Sequence, residues 1–181
     1  MSRLDSDLTA NLTLALTDER FGPYNHSDSN WTQLINEGLA VKNARVIEVL
    51  QPENNDLAGT VAAYSSKLEL AMEESTTIIG QFGMGSDGHI AGILPNSAAA
   101  DDSLSGIVTS YVSDPFTRIT LTFNGIRRVK SAFLIAFGPE KQQALTNLAT
   151  LNLPLSTQPA QIIKEVREAY VYNDQIIGEN Q

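Results

Sequence analysis

The chain has 181 residues, of which 42% are hydrophobic and 18% charged, and this predicts one globular domain over residues 1–181 rather than a disordered chain. The formal charge of −9 argues against binding to nucleic acid, and with no cysteine and only two histidines neither a disulfide nor a metal site is predicted. No apolar run approaches the roughly 20 residues of a membrane helix and no signal-peptide core occurs in the first thirty residues, which predicts a cytoplasmic protein without membrane contact.

The amino-terminal half alternates strand and helix patterns. Strands are predicted at 11–16, 46–50 and 76–82, and helices at 28–37 and 54–74. The second helix has the clearest periodicity, since its apolar residues form one stripe: Leu57, Val61, Tyr64, Leu68 and Ala71.

The carboxyl-terminal half continues this alternation. The predicted strands are 106–112, 119–123, 132–137 and 169–172, and the predicted helices are 139–148 and 159–168. The run at 132–137 is apolar on both faces, which is typical of a central parallel strand covered by helices. The order of elements predicts an α/β fold with three layers (αβα), in which helices cover both faces of a Rossmann-like, mostly parallel sheet.

Three segments that could carry chemistry follow predicted strands. They are D-E-R at 18–20, G-M-G-S-D-G-H at 83–89, and Lys141. Ligands of open parallel sheets bind at the carboxyl ends of the strands, so we expect these segments to form one site. The glycine-rich segment lies in a long stretch without Lys or Arg. An anion there must therefore be bound by backbone N–H groups or by Arg20, Arg118 or Lys141.

The glycine spacing at 83–88 matches G-x-G-x-x-G, the phosphate loop of dinucleotide-binding folds. That site needs a full helix behind the glycines and an acidic residue at the end of the next strand. Gly92 and Pro95 interrupt any such helix, and Asp101 and Asp102 come before the next predicted strand. The spacing therefore disfavours a nucleotide, and no cofactor is predicted.

The same segment also suits acid–base chemistry. A carboxylate two positions from a histidine can fix the ring tautomer and stabilise the imidazolium, which makes Asp87 and His89 candidates for activating water. A structural histidine in a glycine-rich turn is the alternative reading.

Four groups of motifs occur in an order typical of one protein family. They are D-E-R-F with D-S-N-W between 18 and 31, G-M-G-S-D-G-H-I-A with L-P between 83 and 95, R-I-T-L-T at 118–122, and G-P-E-K-Q-Q-A-L at 138–145. Together they resemble the 6-phosphogluconolactonases, which share a superfamily with the glucosamine-6-phosphate isomerases. The isomerases have D-E-Y in the first motif and a carboxylate before the proline of the second, where this chain has D-E-R and Leu94. The resemblance favours a lactonase over an amino-sugar phosphate isomerase.

The resemblance implies hydrolysis of 6-phospho-D-glucono-1,5-lactone to 6-phosphogluconate, a step of the pentose phosphate pathway. It implies that His89 activates the attacking water, that Asp87 orients His89, and that the N–H groups of Gly85 and its neighbours stabilise the oxyanion. It also implies a set of residues that bind the phosphorylated sugar lactone: Asp18, Arg20, Lys141 and Arg118.

For each of the basic residues a purely structural role is the alternative to ligand binding. Lys141 would be a solvated lysine in the first turn of a helix. Arg20 would form a surface ion pair with Asp18 or Glu19, and Arg118 an ion pair with Asp114.

Proteins of the family that this chain resembles begin with a strand, a helix and a second strand that ends in a Ser-Gly-Gly-Ser/Thr phosphate loop. Residues 1–10 contain no glycine, so this segment is predicted to be missing. An unpaired sheet edge should result, which predicts a homodimer that covers it. Fewer phosphate contacts predict weak or lost activity, with a non-catalytic sugar-phosphate-binding or assembly protein as the alternative.

Overall fold

The computed structural model describes residues 9–53 and 56–176. The strands are β1 Thr13–Ala15, β2 Asp18–Arg20, β3 Arg45–Ile47, β4 Ile79–Gly83, β5 Val108–Ser113, β6 Phe116–Leu121, β7 Ser131–Ala136 and β8 Glu168–Asn173. The α-helices are α1 Asn30–Asn36, α2 Leu57–Glu74, α3 Phe123–Arg127 and α4 Gln142–Thr150. Short 3₁₀ helices span Ala98–Ala100, Pro139–Lys141 and Pro159–Glu165.

The strands form three sheets within the described residues. Strands β4, β7 and β8 are parallel in the order β4-β7-β8, and β1 pairs in parallel with β3. Strands β2, β6 and β5 form an antiparallel sheet in that order. The predicted α/β class with a mostly parallel sheet is confirmed, and the antiparallel sheet is an addition that the pattern did not reveal.

One face of the sheet β4-β7-β8 belongs to the main core. Phe82, Ala132 and Leu134 are at most 2% exposed and pack in one cluster with apolar residues of α2 and α4. The opposite face is open among the described residues. Its apolar side chains have exposed fractions of 37–65%: Ile79, Ile135, Tyr170 and Tyr172.

A cleft separates the two parallel sheets. Within the described chain β1 pairs only with β3, and β4 pairs only with β7. Residues of β1, β4 and α2 line a space of about 650 Å³ that includes volume open to solvent. Each of these two strands therefore has one unpaired side.

Several predicted elements differ in type or bounds. The D-E-R segment was predicted to follow the strand at 11–16, but it is itself a separate strand, β2, because it pairs with β6. The strand predicted at 119–123 ends at Leu121, because Thr122 caps α3 by accepting a hydrogen bond from Gly125 N. The helix predicted at 159–168 is a 3₁₀ helix that ends at Glu165. Helix α2 begins at Leu57, and residues 54 and 55 of its predicted range lie outside the described residues.

Candidate active site

The loop after β4 folds back on itself at the carboxyl end of the parallel sheet. Gly85 N donates to His89 O at 3.0 Å, and Gly88 N donates to Gly85 O at 3.0 Å. Fully buried Ile90 and Ile93 anchor the far side of the loop in the core. Gly88 has φ of +83°, a conformation that a side chain would strain. The loop therefore has a defined shape at the sheet edge where parallel-sheet ligands bind.

The loop brings Asp87 and His89 into direct contact. His89 Nδ1 lies 2.7 Å from Asp87 Oδ1, and His89 N donates to the same oxygen at 3.1 Å. The side chains remain 37% and 49% exposed for His89 and Asp87 respectively, so solvent or a ligand can reach the pair. When Nδ1 carries the proton that Asp87 accepts, Nε2 is left as a proton acceptor. This arrangement can deprotonate a water molecule.

Gly85 makes room for this pair. A Cβ atom at this position would lie 2.1 Å from His89 Nδ1 and 2.4 Å from Asp87 Oδ1. The Gly85 N–H already donates to His89 O, so it is directed into the loop. Oxyanion stabilisation by backbone N–H groups of this loop stays a prediction, and its donors would be neighbours of Gly85.

Asp87 is held in its charged form. Desolvation alone would raise its pKa, but the hydrogen bonds from His89 N and the His89 ring outweigh it and lower the pKa below the usual 3.8. A charged carboxylate at this position stabilises an imidazolium on His89 during proton transfer.

Asp18 lies beside this loop because β2 pairs with β6. Gly92 N donates to Thr120 Oγ1 at 2.9 Å, and a Cβ on Gly92 would lie 3.0 Å from Asp18 Cβ. Desolvation raises the pKa of Asp18, while Arg118, a hydrogen bond from Asn30 and His89 act in the opposite direction. The charges of Arg118 and His89 both act on the Asp18 carboxyl, and the joining of these groups in one substrate site stays a prediction.

The raised pKa of Asp18 has a consequence for stability. An acid whose pKa is higher in the folded than in the unfolded protein favours folding at low pH, where it is neutral in both states. This contribution is present below the unfolded pKa near 3.8 and is lost as the pH rises through the folded pKa. The burial of Asp18 therefore lowers the stability of the fold as the pH rises above the unfolded pKa.

Arg20 and Arg118 lie side by side on β2 and β6. They are direct cross-strand partners, and their guanidinium carbons lie 4.6 and 5.9 Å from the centre of the Phe116 ring. Among the described residues, the Nε atoms of both arginines are buried without a hydrogen-bond partner. Two neighbouring guanidinium groups are well suited to bind a phosphate.

The structure excludes the ion pairs that were the structural alternatives for these two arginines. Arg20 Nη1 donates to the carbonyl oxygen of Asp28 at 3.1 Å and forms no ion pair with Asp18 or Glu19 within the described chain. No ion pair joins Arg118 to Asp114 in the same residues.

Lys141 lies at the start of α4, after the carboxyl end of β7. Because β7 pairs in parallel with β4, Lys141 and the loop of His89 follow neighbouring strands at the same sheet edge. The Lys141 side chain is partly exposed, and no hydrogen bond or ion pair to it is found within the described chain. A role in binding substrate stays a prediction for this residue.

The comparison with known proteins is consistent with this geometry. The model of the family of glucosamine-6-phosphate isomerases and 6-phosphogluconolactonases matches residues 4–172. The chain belongs to this family.

Its sequence identity to individual relatives is low but extends over most of the chain. It is 26% identical over 159 residues to a 6-phosphogluconolactonase of Helicobacter pylori, covering 83% of this chain and 66% of the relative. It is 31% identical over 156 residues to one of Pseudomonas aeruginosa, covering 81% of this chain and 61% of the relative. The fold is similar to that of a 6-phosphogluconolactonase from Shewanella baltica, with a TM-score of 0.77 at 19% identity and coverage of 91% of this chain and 72% of that one. The chain thus spans slightly less than two thirds of the length of the first of these relatives.

For this member of the glucosamine-6-phosphate isomerase/6-phosphogluconolactonase family, two further findings concern metal ligands and membrane spans. The described residues contain no group of three or more His, Cys, Asp or Glu side chains that could hold a metal ion. None of the described helices is both long enough and apolar enough to cross a membrane.

Sequence reasoning missed three residues around the site. Glu19 is buried, Asn30 donates to Asp18, and Phe116 packs against both arginines. The D-S-N-W motif pointed to Asn30 only as part of the family resemblance. Nothing in the local pattern of Phe116 distinguishes it from a core residue.

Proposed function

We propose that this protein hydrolyses 6-phospho-D-glucono-1,5-lactone to 6-phosphogluconate, the lactonase step of the pentose phosphate pathway, in the cytoplasm. The observation that carries the proposal is the 2.7 Å contact between His89 Nδ1 and Asp87 Oδ1 on an accessible loop. The family membership and the names of the relatives support a lactone as the substrate.

The residues have defined roles in this proposal. His89 Nε2 accepts a proton from water as the water oxygen bonds to the lactone carbonyl carbon, and Asp87 stabilises the resulting imidazolium. Backbone N–H groups of the loop donate to the carbonyl oxygen as it becomes negative. The bond between the carbonyl carbon and the ring oxygen then breaks, and His89 returns its proton to the ring oxygen.

Arg20 and Arg118 are proposed to bind the phosphate through their guanidinium groups, which lie on paired strands beside the same Phe116 ring. Asp18 is proposed to accept a hydrogen bond from a sugar hydroxyl. Lys141 is proposed to approach the same ligand from the neighbouring strand end.

Hydrolysis of freshly prepared 6-phosphogluconolactone, followed above its spontaneous rate, tests the proposal. We expect activity in the unchanged chain and a loss of about 100-fold or more in His89→Ala, since general acid–base catalysis contributes this much. The exposed Glu73→Gln in α2 is the control and should leave the rate unchanged. Binding of 6-phosphogluconate without turnover would instead support the non-catalytic alternative.

We also propose that two copies of the chain associate through the open face of the sheet β4-β7-β8 and the unpaired sides of β1 and β4. Support comes from the unpaired sides of β1 and β4 and from the exposed apolar face that includes Ile79. Light scattering should give a dimer mass at micromolar concentration, and Ile79→Glu should shift it to a monomer. Val112→Glu on β5, where Val112 is 80% exposed, is the matched control. A monomer mass for the unchanged chain would refute the dimer.

A further inference from the structure

Glu19 is the most buried acidic side chain among the described residues, at 1% exposure. Its carboxylate accepts four hydrogen bonds, all from neutral donors. Oε1 accepts from Arg20 N at 2.7 Å and from Asn30 N at 2.6 Å, while Oε2 accepts from Ser29 Oγ at 2.9 Å and from Trp31 N at 3.1 Å. A buried carboxylate without these donors would be strongly unfavourable, so the four bonds hold it in one position.

Three of the four donors come from the start of α1. Ser29 is the N-cap residue and accepts from Thr32 N at 3.1 Å while it donates to Glu19. Asn30 and Trp31 supply the first N–H groups of the helix, which have no partner within the helix itself. Glu19 therefore fixes residues 28–31 against β2.

This fixed turn contacts the residues on either side of Glu19. Asn30 Nδ2 donates to Asp18 Oδ2 at 3.2 Å and to Asp18 O at 3.0 Å. Arg20 Nη1 donates to Asp28 O at 3.1 Å. Side chains alternate along a strand, so Asp18 and Arg20 project to the side opposite Glu19, toward the candidate site. The orientation of both groups thus depends on a turn that Glu19 holds.

We propose that Glu19 is a positioning residue for substrate binding, which acts by holding the turn 28–31 so that Asn30 orients Asp18 and Asp28 O orients Arg20. The inference rests on the proposed lactonase function for its consequence in catalysis. Glu19 itself has no contact with the substrate in this proposal.

Glu19→Gln tests the mechanism with almost no change in volume. A glutamine keeps one acceptor oxygen but presents an NH₂ group to two of the four donors, so two hydrogen bonds are lost and donor faces donor. We expect KM for 6-phosphogluconolactone to rise about tenfold, the worth of one hydrogen bond to a charged group, while kcat changes less than twofold. Glu73→Gln is the matched control and should change neither parameter.

The second readout is independent of catalysis. In Glu19→Gln the Asn30 amide should leave Asp18, so the titration midpoint of the Asp18 carboxyl, followed by carbon NMR, should move to higher pH. The other groups that act on Asp18 are Arg118, Glu19 and His89, and the loss of the Glu19 charge acts in the opposite direction. Asn30→Ala separates the two effects, because it removes the amide and leaves the Glu19 charge and the Asn30 N–H in place. Asn30→Ala should raise the midpoint more than Glu19→Gln does.

Failure of the proposed function and failure of the inference about Glu19 give different results. If the unchanged chain neither hydrolyses the lactone nor binds 6-phosphogluconate, the proposed function fails, and the Asp18 titration still tests the positioning of Asp18. A lowered melting temperature with unchanged KM and unchanged Asp18 titration would overturn the inference and leave Glu19 a structural residue only. Should Glu19→Gln fail to fold, an Asp18 midpoint that does not move in Asn30→Ala would also overturn it.

Discussion

Replacement of Gly85 by alanine tests whether the geometry of the Asp87–His89 pair limits activity. A Cβ atom at residue 85 would lie 2.1 Å from His89 Nδ1 and 2.4 Å from Asp87 Oδ1. Ordinary van der Waals separation is about 3.5 Å or more, so the ring must retreat by about 1.4 Å. Both obstructing groups are ends of side chains, which can move without unfolding the loop. We therefore expect a large loss of activity and a small loss of stability.

A displacement of about 1 Å costs on the order of 100-fold in rate, equivalent to about 2.7 kcal/mol of transition-state stabilisation. The assay is hydrolysis of 6-phosphogluconolactone under steady-state conditions, with the melting temperature measured in parallel. Gly83→Ala is a close control, because a Cβ there has no atom within 4 Å and the backbone does not have a positive φ. The reasoning is refuted if Gly85→Ala keeps its rate within twofold, or if Gly83→Ala loses as much as Gly85→Ala.

Three further substitutions address the remaining groups of the site. Asp87→Asn should lower kcat about 1000-fold in the lactonase assay, because His89 loses its orienting carboxylate; a change in KM with an unchanged kcat would contradict this. Asp18→Asn should raise the melting temperature more at pH 8 than at pH 4, since the penalty for the buried charge grows from the unfolded pKa near 3.8 and is complete only above the raised pKa; an equal gain at both pH values would contradict the sign. Arg118→Met should raise KM about tenfold for the phosphorylated lactone and leave the unphosphorylated gluconolactone unaffected, and an equal change for both substrates would exclude a phosphate contact.

The contact between Asp87 and His89 was predictable because it is local. The two residues are separated by two positions, and the glycines around them allow the loop to turn back on itself. The apolar stripe of α2 and the apolar run that forms β7 were predictable for the same reason, since periodicity alone decides such elements. Neither observation required knowledge of any distant contact.

The arrangement of Asp18, Arg20 and Arg118 was not predictable in this way. It depends on the antiparallel pairing of β2 with β6, which places Arg20 opposite Arg118. A three-residue strand has too short a pattern to reveal its partner, so the sequence indicated only that residues 18–20 follow the strand predicted at 11–16. Phe116 joins the arginines only through this pairing.

Glu19 is the clearest example of a residue whose position the sequence does not predict. By its type a glutamate in a D-E-R segment is expected at the surface. The structure buries it because three donors from a turn about ten residues further along the chain, together with the N–H of Arg20, converge on its carboxylate. The sequence by itself determined the fold class, the family motifs and the local pairing of Asp87 with His89, since these depend on short-range patterns. Only the tertiary structure decided which charged residues face the site and which are buried behind it, because burial and cross-strand pairing depend on contacts between distant segments.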